Sequence, residues 1–205
     1  MRFTPPRANG SRRDTPTLPE TAARHAVFLD RDGTIAEEMG YLNHLNRFQV
    51  FPFSASAIRR LNGAGLPVVV VTNQSGVGRG FFPEALVHQV HERMITELAG
   101  GGARLDAIYY CPHASSDDCA CRKPRPGMLV RAAREHGLAV RGSWVVGDRY
   151  GDVEMAHAVG CRSILVLSGY GRGEYEWHRK NWKRQPGHVA ENLEAAVEII
   201  LKESR

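Results

Sequence analysis

The stretch that decides the fold is "HAVFLDRDGTI", residues 25–35. Its apolar run, "AVFL", is followed by two aspartates two positions apart, Asp30 and Asp32, and then by Gly33. A short apolar run without polar alternation is typical of a strand that is buried on both faces of a sheet. The acids that end it have two interpretations: a turn that needs polar residues, or a site that needs two carboxylic acids in different roles.

Working outward from this stretch, strand-like and helix-like patterns alternate along the whole chain. Four further short apolar runs predict buried strands, at residues 66–71, 107–111, 143–147 and 163–167. Helical patterns lie at residues 54–64, 83–99, 126–137, 151–159 and 190–202. This order predicts a doubly wound α/β fold with a mainly parallel sheet and right-handed crossovers. Ligands of such folds bind beyond the carboxyl ends of the strands.

Length and composition limit the organisation of the protein. The chain has 205 residues, 42% of them hydrophobic, which suits one substantial core and one domain. No apolar segment approaches the roughly 20 residues of a membrane span, and no signal peptide is evident, so we expect a cytoplasmic protein. Residues 1–24 are rich in Pro, Arg, Ser and Thr and predict a mobile arm, which leaves residues 25–205 as the domain. The net charge of +5 is compatible with an anionic small substrate and is weak support for nucleic-acid binding.

Three polar clusters fall at predicted strand ends. Asp30 and Asp32 follow the first strand, Thr72 follows "VVVV", and Asp148 follows "SWVVG". Turn preference explains each cluster taken singly. Three clusters at the one edge where such sheets bind ligands favour a functional site.

These groups suit phosphoryl transfer. Asp30 is the candidate nucleophile, which would form an aspartyl phosphate, and Asp32 is the candidate general acid and base. Carboxylates and a dianionic phosphate repel each other, so we expect a hard divalent cation, Mg²⁺, with Asp148 supplying a further carboxylate. Thr72 and Lys123, the lysine in "CRKPRPG", are the candidates that stabilise the transferring phosphoryl group.

Four segments carry a family resemblance: "FLDRDGT", "VVVVTNQSG", "CRKPRPGML" and "VVGDRYGD". In order and spacing they resemble the four motifs of the haloacid dehalogenase superfamily. Within it they are similar to the small zinc-containing phosphatases that act on D-glycero-D-manno-heptose 1,7-bisphosphate or on histidinol phosphate. The resemblance covers roughly residues 25–168 and implies a haloacid dehalogenase-like Rossmannoid domain without a large cap.

The resemblance also implies roles for individual residues. It makes Asp30 the nucleophile, Asp32 the acid and base, and Thr72 and Lys123 the phosphoryl stabilisers. It gives Mg²⁺ the Asp30 carboxylate, the Asp32 backbone carbonyl and the Asp148 carboxylate. It implies substrate contacts for Glu38, Met39, Gly40, Tyr41, Asn73, Gln74, Ser75 and Arg122. Asp152 has two interpretations, a support for Lys123 or the metal, and an acid favoured in the first turn of a helix. Tyr41 likewise has the alternative of packing at the rim of the core.

A second constellation lies in "CPHASSDDCAC". Cys111, His113, Cys119 and Cys121 fall within eleven residues, as a closed structural Zn²⁺ site requires. A disulfide is the competing interpretation, but three thiols cannot all pair among themselves, and a cytoplasmic enzyme is kept reduced. The predicted zinc site fixes the loop before Arg122 and Lys123. The fourth cysteine, Cys161, is interpreted as a small buried hydrophobic residue.

The spacing of the motifs leaves no room for a large cap domain. We therefore expect an open site rimmed by residues 37–48 and by the zinc loop, in which the planar guanidinium of Arg122 clamps a second anionic group. Residues 170–185, "YGRGEYEWHRKNWKRQ", are basic and aromatic. Such a stretch marks either a single-stranded nucleic-acid platform or, more commonly, a solvated segment anchored by its aromatic residues.

The function that the resemblance implies first is a Mg²⁺-dependent phosphatase that removes the 7-phosphate of a heptose bisphosphate, as in the supply of activated heptose for lipopolysaccharide. Alternative substrates are histidinol phosphate, another small phosphate ester or, less well supported, a polynucleotide 3′-phosphate. A binding module that kept the fold is the non-catalytic alternative, and an intact nucleophile argues against it. We expect a monomer with a small sugar-phosphate substrate and no membrane partner.

Overall fold

The computed structural model describes residues 24–204. Its sheet contains six parallel strands in the order β3-β2-β1-β4-β5-β6. The strands are β1 (Arg24–Leu29), β2 (Val68–Asn73), β3 (Ala107–Cys111), β4 (Leu138–Gly147), β5 (Arg162–Val166) and β6 (His188–Ala190). This is the doubly wound order. The chain adds β2 and β3 on one side of β1 and then adds β4, β5 and β6 on its other side, so the switch point lies between β1 and β4. The predicted fold class is confirmed.

Six α-helices connect or flank these strands in the described part of the chain. They are α1 (Ser54–Gly63), α2 (Glu84–Gly100), α3 (Gly127–His136), α4 (Tyr150–Val159), the single turn α5 (Gly171–Gly173) and α6 (Leu193–Glu203). After α5 the chain continues through a π-helical turn, Glu174–His178, and a 3-10 turn, Arg179–Asn181. A separate cap domain is absent from residues 24–204, as predicted.

Alternate residues of each central strand enter two different cores. Val27 and Leu29 of β1 pack in the layer that contains residues of α1, α2 and α6. Ala26 and Phe28 pack on the opposite face, in the layer that contains residues of α3 and α4. Burial on both faces explains why these strands are continuous apolar runs, because neither face of the sheet meets water.

Most predicted elements agree with the structure, but β4 begins at Leu138, five residues before the predicted strand 143–147, and the chain ends also differ. The short edge strand β6 was not predicted, because "HVA" is too brief to stand out as an apolar run. It displaces the start of the last helix from residue 190 to Leu193, where the Asn192 side chain accepts a hydrogen bond from the Ala195 N–H. The predicted arm, residues 1–24, lies outside the described residues apart from Arg24, which begins β1.

Within residues 24–204, every helix is too short or too polar to cross a lipid bilayer.

Candidate active site

Carboxylates from two strand ends and one helix converge beside the β1–β4 switch point. Asp30 follows β1, Asp148 follows β4, and Asp152 lies in the first turn of α4. All three are buried, and one carboxylate oxygen from each lies within 4.8 Å of the other two. They line a cleft of about 460 Å³ at the carboxyl edge of the sheet. The parallel topology therefore brings together acids that are more than a hundred residues apart in sequence.

Lys123 lies between two of these acids. Its Nζ is 2.6 Å from an Asp30 oxygen and 2.8 Å from Asp152 Oδ1. Asn73, the last residue of β2, holds the lysine backbone from both sides: its Oδ1 accepts from the Lys123 N–H at 3.1 Å, and its Nδ2 donates to the Lys123 carbonyl at 3.3 Å. The two interpretations of Asp152 are thus compatible, because it pairs with Lys123 and its Oδ2 also accepts from the Arg149 N–H at the start of α4.

The protonation of this cluster depends on its burial and on its crowded charge. Burial raises the pKa of Asp30 to about 7; Lys123 opposes the rise, and Asp152 and Asp32 add to it. Burial and the negative charges of Asp30 and Asp152 raise the pKa of Asp148 to about 9. Burial alone would lower the pKa of Lys123, but the Asp152 and Asp30 carboxylates outweigh it and raise that pKa. One ammonium group therefore leaves three crowded carboxylates incompletely compensated.

A divalent cation fits this cluster. Asp148 Oδ1 is buried and has no hydrogen-bond partner among the described residues, while Asp148 Oδ2 accepts from the Tyr170 N–H at 2.8 Å. An unpartnered carboxylate oxygen in a buried acidic cluster is costly unless a cation binds it. The donor set consists of oxygen atoms, which suits a hard ion such as Mg²⁺.

Two glycines make room for the Asp148 carboxylate. Gly33 and Gly169 adopt positive φ angles of 74° and 57°. A Cβ atom at either position would overlap Asp148 Oδ2. These glycines therefore let two backbone segments lie directly against the carboxylate.

Asp32 lies apart from the three-acid cluster and has its own partners. Its carboxylate accepts from Arg31 Nε at 3.0 Å and from Arg31 Nη2 at 2.8 Å. Gln74 Nε2 donates to Asp32 Oδ2 and to Thr72 Oγ1, both at 2.9 Å. Because Thr72 Oγ1 accepts from Gln74, its own hydroxyl hydrogen is available to donate into the cleft.

Of the residues expected to contact the substrate, all except Met39 line the cleft. The lining of the cleft includes Glu38, Gly40, Tyr41, Asn73, Gln74, Ser75 and Arg122. Met39 is exposed on the rim and is not part of this lining. The Asn73 and Gln74 side chains already bond to Lys123, Asp32 and Thr72, so the structure uses them to position other site residues.

Two aromatic rings form part of the exposed rim. Tyr41 and Phe81 meet edge to face with ring centroids 4.7 Å apart. Both rings are exposed, at 44% for Tyr41 and 55% for Phe81. Tyr41 therefore lines the cleft and packs on an exposed residue outside the hydrophobic core, while its contact with substrate stays a prediction.

The four predicted zinc ligands converge on one point. Within this group, Cys111 Sγ lies 3.5 Å from His113 Nδ1, 3.5 Å from Cys119 Sγ and 3.3 Å from Cys121 Sγ. All four ligand atoms lie within 4.8 Å of one another, and the three cysteines are free thiols. Burial acts to raise the pKa of Cys119, but hydrogen bonds from Cys121 and Cys111 lower it to about 7. Four soft or borderline donors in a compact group fit a closed tetrahedral Zn²⁺ site.

The predicted zinc ligands adjoin residues that line the cleft. Asn73 at the end of β2 pairs in register with Cys111 at the end of β3. The Gln74 N–H donates to the Cys111 carbonyl at 2.7 Å, and Arg122 Nη1 donates to the His113 carbonyl at 3.3 Å. The loop thus connects the ligand group to both Gln74 and Arg122. Cys161 is buried outside this group, as expected.

Sequence reasoning missed one wall of the cleft, formed by Arg149, Tyr150, Tyr170 and Glu174. Glu174 Oε1 lies 2.7 Å from Arg149 Nε, and its Oε2 accepts from the Tyr150 N–H at 2.5 Å. Arg149 also lies over the Tyr170 ring, 4.4 Å from its centroid. Arg149 and Tyr150 directly follow Asp148, so the rule that sites lie at strand ends contained the signal for them.

The basic aromatic segment 170–185 is anchored to this wall. Trp182 stacks on Tyr150 with ring centroids 4.6 Å apart and an interplanar angle of 8°. Arg179 lies over the Tyr175 ring at 4.5 Å. These contacts agree with a segment anchored by its aromatic residues, although Trp177 remains 76% exposed.

Comparison with known proteins gives concordant matches. A family model described as "HAD-hyrolase-like" matches residues 120–196. A D-glycero-D-manno-heptose-1,7-bisphosphate 7-phosphatase from Thermosynechococcus vestitus is 42% identical over 188 residues, which cover 86% of this chain and 95% of that protein. A D-glycero-beta-D-manno-heptose-1,7-bisphosphate 7-phosphatase from Pseudomonas aeruginosa is 42% identical over 150 residues, which cover 73% of this chain and 84% of that protein.

Solved structures give the same result. The D,D-heptose 1,7-bisphosphate phosphatase from Bordetella bronchiseptica, solved in complex with magnesium and phosphate, superposes with a TM-score of 0.80 at 37% identity. That match covers 87% of this chain and 99% of the other. A putative HAD-like phosphatase from Mesorhizobium loti superposes with a TM-score of 0.72 at 30% identity, covering 92% of both chains.

Proposed function

The chain belongs to the haloacid dehalogenase-like phosphatases, in the group of heptose-bisphosphate phosphatases, and we propose that it removes the 7-phosphate of D-glycero-D-manno-heptose 1,7-bisphosphate. The product would serve the supply of activated heptose for lipopolysaccharide. We also propose that the enzyme is cytoplasmic, because a reducing compartment keeps the Cys111, Cys119 and Cys121 thiols free for a metal. The expectation that it acts as a monomer stays a prediction.

One observation carries the chemical part of the proposal. The Asp30 carboxylate lies at the end of β1, 2.6 Å from Lys123 Nζ, on a cleft of about 460 Å³. A cleft of this size accommodates a phosphorylated sugar. A buried lysine that pairs with a strand-end aspartate supplies positive charge where a phosphoryl group would meet its nucleophile.

In the first step an Asp30 carboxylate oxygen attacks phosphorus as the bond from phosphorus to the sugar oxygen breaks. The Asp32 carboxyl gives its proton to that sugar oxygen, so the sugar leaves as an alcohol. The Thr72 hydroxyl and the Lys123 ammonium donate to the phosphoryl oxygens during the transfer. In the second step Asp32 takes a proton from water, whose oxygen attacks phosphorus and releases phosphate from Asp30.

The site residues also suit the two proposed metal ions. Mg²⁺, when bound, would neutralise the clustered negative charge and orient the phosphate. The Asp30 and Asp148 carboxylates and the Asp32 backbone carbonyl would hold it, a proposal supported by the unpartnered Asp148 Oδ1. Zn²⁺ would bind Cys111, His113, Cys119 and Cys121 and stabilise the loop that precedes Lys123.

Substrate preference would come from the rim, since the described residues include no cap domain. Arg122 and Arg149 line the cleft and are suited to the second phosphate, because a planar guanidinium binds phosphate through two hydrogen bonds. Glu38, on the same lining, is a hydrogen-bond acceptor for sugar hydroxyls.

Steady-state kinetics on three esters test this proposal. We expect kcat/KM for heptose 1,7-bisphosphate to exceed the values for histidinol phosphate and for a 3′-phosphorylated oligonucleotide by more than about tenfold. A smaller preference would indicate a generalist phosphatase. A preference for either alternative ester would overturn the proposed substrate.

A further inference from the structure

Arg31 lies between the two proposed catalytic acids, yet its side chain is not exposed to the cleft. The residue is 1% exposed and is among the largest fully buried side chains of the described residues. It is absent from the cleft lining that contains its neighbours Asp30 and Asp32. A buried cation out of reach of the substrate needs a role within the protein, because burying its charge is costly.

The Arg31 guanidinium makes a two-pronged contact with the Asp32 carboxylate. Nε donates to Oδ1 at 3.0 Å and Nη2 donates to Oδ2 at 2.8 Å. Two parallel hydrogen bonds fix the plane of the carboxylate as well as its position. A lysine at position 31 would keep the charge but would lose this planar fork.

A buried histidine holds the other side of the guanidinium. Arg31 Nη1 lies 3.3 Å from Nε2 of His91, a 7% exposed residue of α2. Arginine has donors only, so His91 Nε2 must be the acceptor and the imidazole must be neutral. This contact connects the acid at the end of β1 to a helix that packs in the hydrophobic core.

The hydrogen bonds also distinguish the two oxygens of Asp32. A carboxylate has about four acceptor positions. Arg31 Nη2 and Gln74 Nε2 both bond to Oδ2, whereas Arg31 Nε alone bonds to Oδ1 among the described residues. Oδ1 therefore keeps a position for a transferable proton. Since the Asp32 side chain is 19% exposed, the carboxyl remains open to the cleft.

We infer that Arg31 is a positioning residue that orients the Asp32 carboxyl for proton transfer, and that His91 holds Arg31 in place. The inference rests on the proposed function. As the bond from Asp30 oxygen to phosphorus forms and the ester bond breaks, the proton on Asp32 Oδ1 passes to the departing oxygen. Arg31 exchanges no proton and touches no substrate.

The test compares two esters whose leaving groups differ in their need for a proton. A sugar alkoxide must be protonated as it leaves, whereas the p-nitrophenolate of p-nitrophenyl phosphate is stable without a proton. We expect R31K to lower kcat/KM by about 30-fold on heptose 1,7-bisphosphate and by less than about threefold on p-nitrophenyl phosphate. kcat/KM is the suitable quantity because it reports the steps up to phosphoryl transfer, before water attacks.

Two variants of His91 provide a second test, in which a conservative substitution should restore the activity that a disruptive one removes. H91L removes the hydrogen-bond acceptor for Arg31. We expect it to lower kcat/KM by about fivefold on the sugar ester and to leave kcat/KM on p-nitrophenyl phosphate unchanged. H91Q keeps an acceptor oxygen and should restore most of that loss. R60K, which changes an exposed arginine paired with Glu198, is the matched control and should leave both kcat/KM values unchanged.

D32N separates this inference from the proposed function. If D32N lowers kcat/KM equally for both esters, the acid role of Asp32 is wrong and the inference fails with it. If D32N lowers kcat/KM mainly for the sugar ester, but R31K and H91L lower it equally for both esters, the positioning role alone is overturned. Failure of both R31K and H91L to fold, judged by melting temperature against R60K, would assign the pair to stability and would also overturn the inference.

Discussion

At the scale of single residues, the site is built from groups that cannot be changed independently. Lys123 pairs with Asp30 and Asp152 at 2.6 and 2.8 Å, while Asp30 shares a crowded, buried space with Asp148. In a cluster of this kind, removing one charge leaves another buried and unpaired, which costs several kcal/mol. Side-chain substitutions among these four residues therefore mix stability with chemistry, and sharper tests come from residues next to them.

Gly169 provides one such test. G169A places a Cβ atom against Asp148 Oδ2, so we expect at least tenfold weaker Mg²⁺ binding, measured as a higher half-activating Mg²⁺ concentration. G65A is the matched control: Gly65 also has a positive φ, 74°, but a Cβ there meets no atom within 4 Å. G65A should lose about 1 kcal/mol of stability through backbone strain, and G169A should lose more, because its Cβ also meets the Gly33 backbone. Equal Mg²⁺ dependence in the two variants would contradict the proposed role of Asp148.

His91 predicts a pH dependence of stability. Burial, Arg31 and His88 lower its pKa from 6.5 to about 3 in the folded protein, and the Tyr110 ring packs against it. Below pH 6.5 the unfolded chain binds a proton that the folded chain excludes, so this residue costs stability as the pH falls toward 3. Between about pH 7.5 and 5.5, the free energy of unfolding of H91Q should gain about 1.4 kcal/mol relative to wild type.

Urea denaturation at the two pH values measures this gain. A difference between H91Q and wild type that stays constant with pH would show that folding does not change the pKa of His91, which would contradict this prediction.

At the scale of elements, parallel strands explain why the sequence identified so much of the site. Asp30 and Asp148 directly follow buried strands, Thr72 is the second-to-last residue of β2, and the carboxyl ends of parallel strands share one edge. The same logic extends to Arg149 and Tyr150, which follow Asp148 but were not singled out.

Other parts of the site depend on contacts that no local pattern records. Glu174 reaches Arg149 from a segment 25 residues further along, and His91 reaches Arg31 from the middle of a helix. In sequence, Glu174 resembles any other charged residue of a basic stretch, and His91 resembles a polar residue on a helix. Residue 39 shows the opposite case: its neighbours line the cleft while Met39 remains on the rim, because a loop does not direct successive side chains to one side.

The loop that carries the predicted zinc ligands, residues 111–121, gives a prediction at the scale of an element. C121S removes one ligand of the predicted Zn²⁺ site next to Lys123, and we expect about 10–100-fold lower kcat/KM together with loss of bound zinc and a lower melting temperature. C161S is the matched control, because the Cys161 thiol is buried away from the ligand group and donates to the Val140 carbonyl, a bond that serine also makes. Full activity and stability of a zinc-free C121S protein, shown by elemental analysis, would rule out a structural role for the metal.

At the scale of the whole molecule, a two-layered core supports one open edge. The cleft runs beside the β1–β4 switch point, with the three-acid cluster at its base and the loops around Tyr41, Arg122 and Glu174 on its rim. The anchored segment 170–185 adds a wall to this cleft, since Trp182 and Tyr170 contact Tyr150 and Arg149. The Trp182 ring stacks on Tyr150 and is not available to stack on bases, whereas Trp177 in the same segment remains 76% exposed.

The central claim is that the Asp30 carboxylate becomes transiently bonded to phosphorus. The most direct measurement is a crystal structure of the protein with Mg²⁺ and fluoroberyllate, a mimic of an aspartyl phosphate. We predict beryllium bonded to an Asp30 carboxylate oxygen, with its fluorides contacting Thr72 and Lys123. Beryllium bound to any other side chain would contradict the claim.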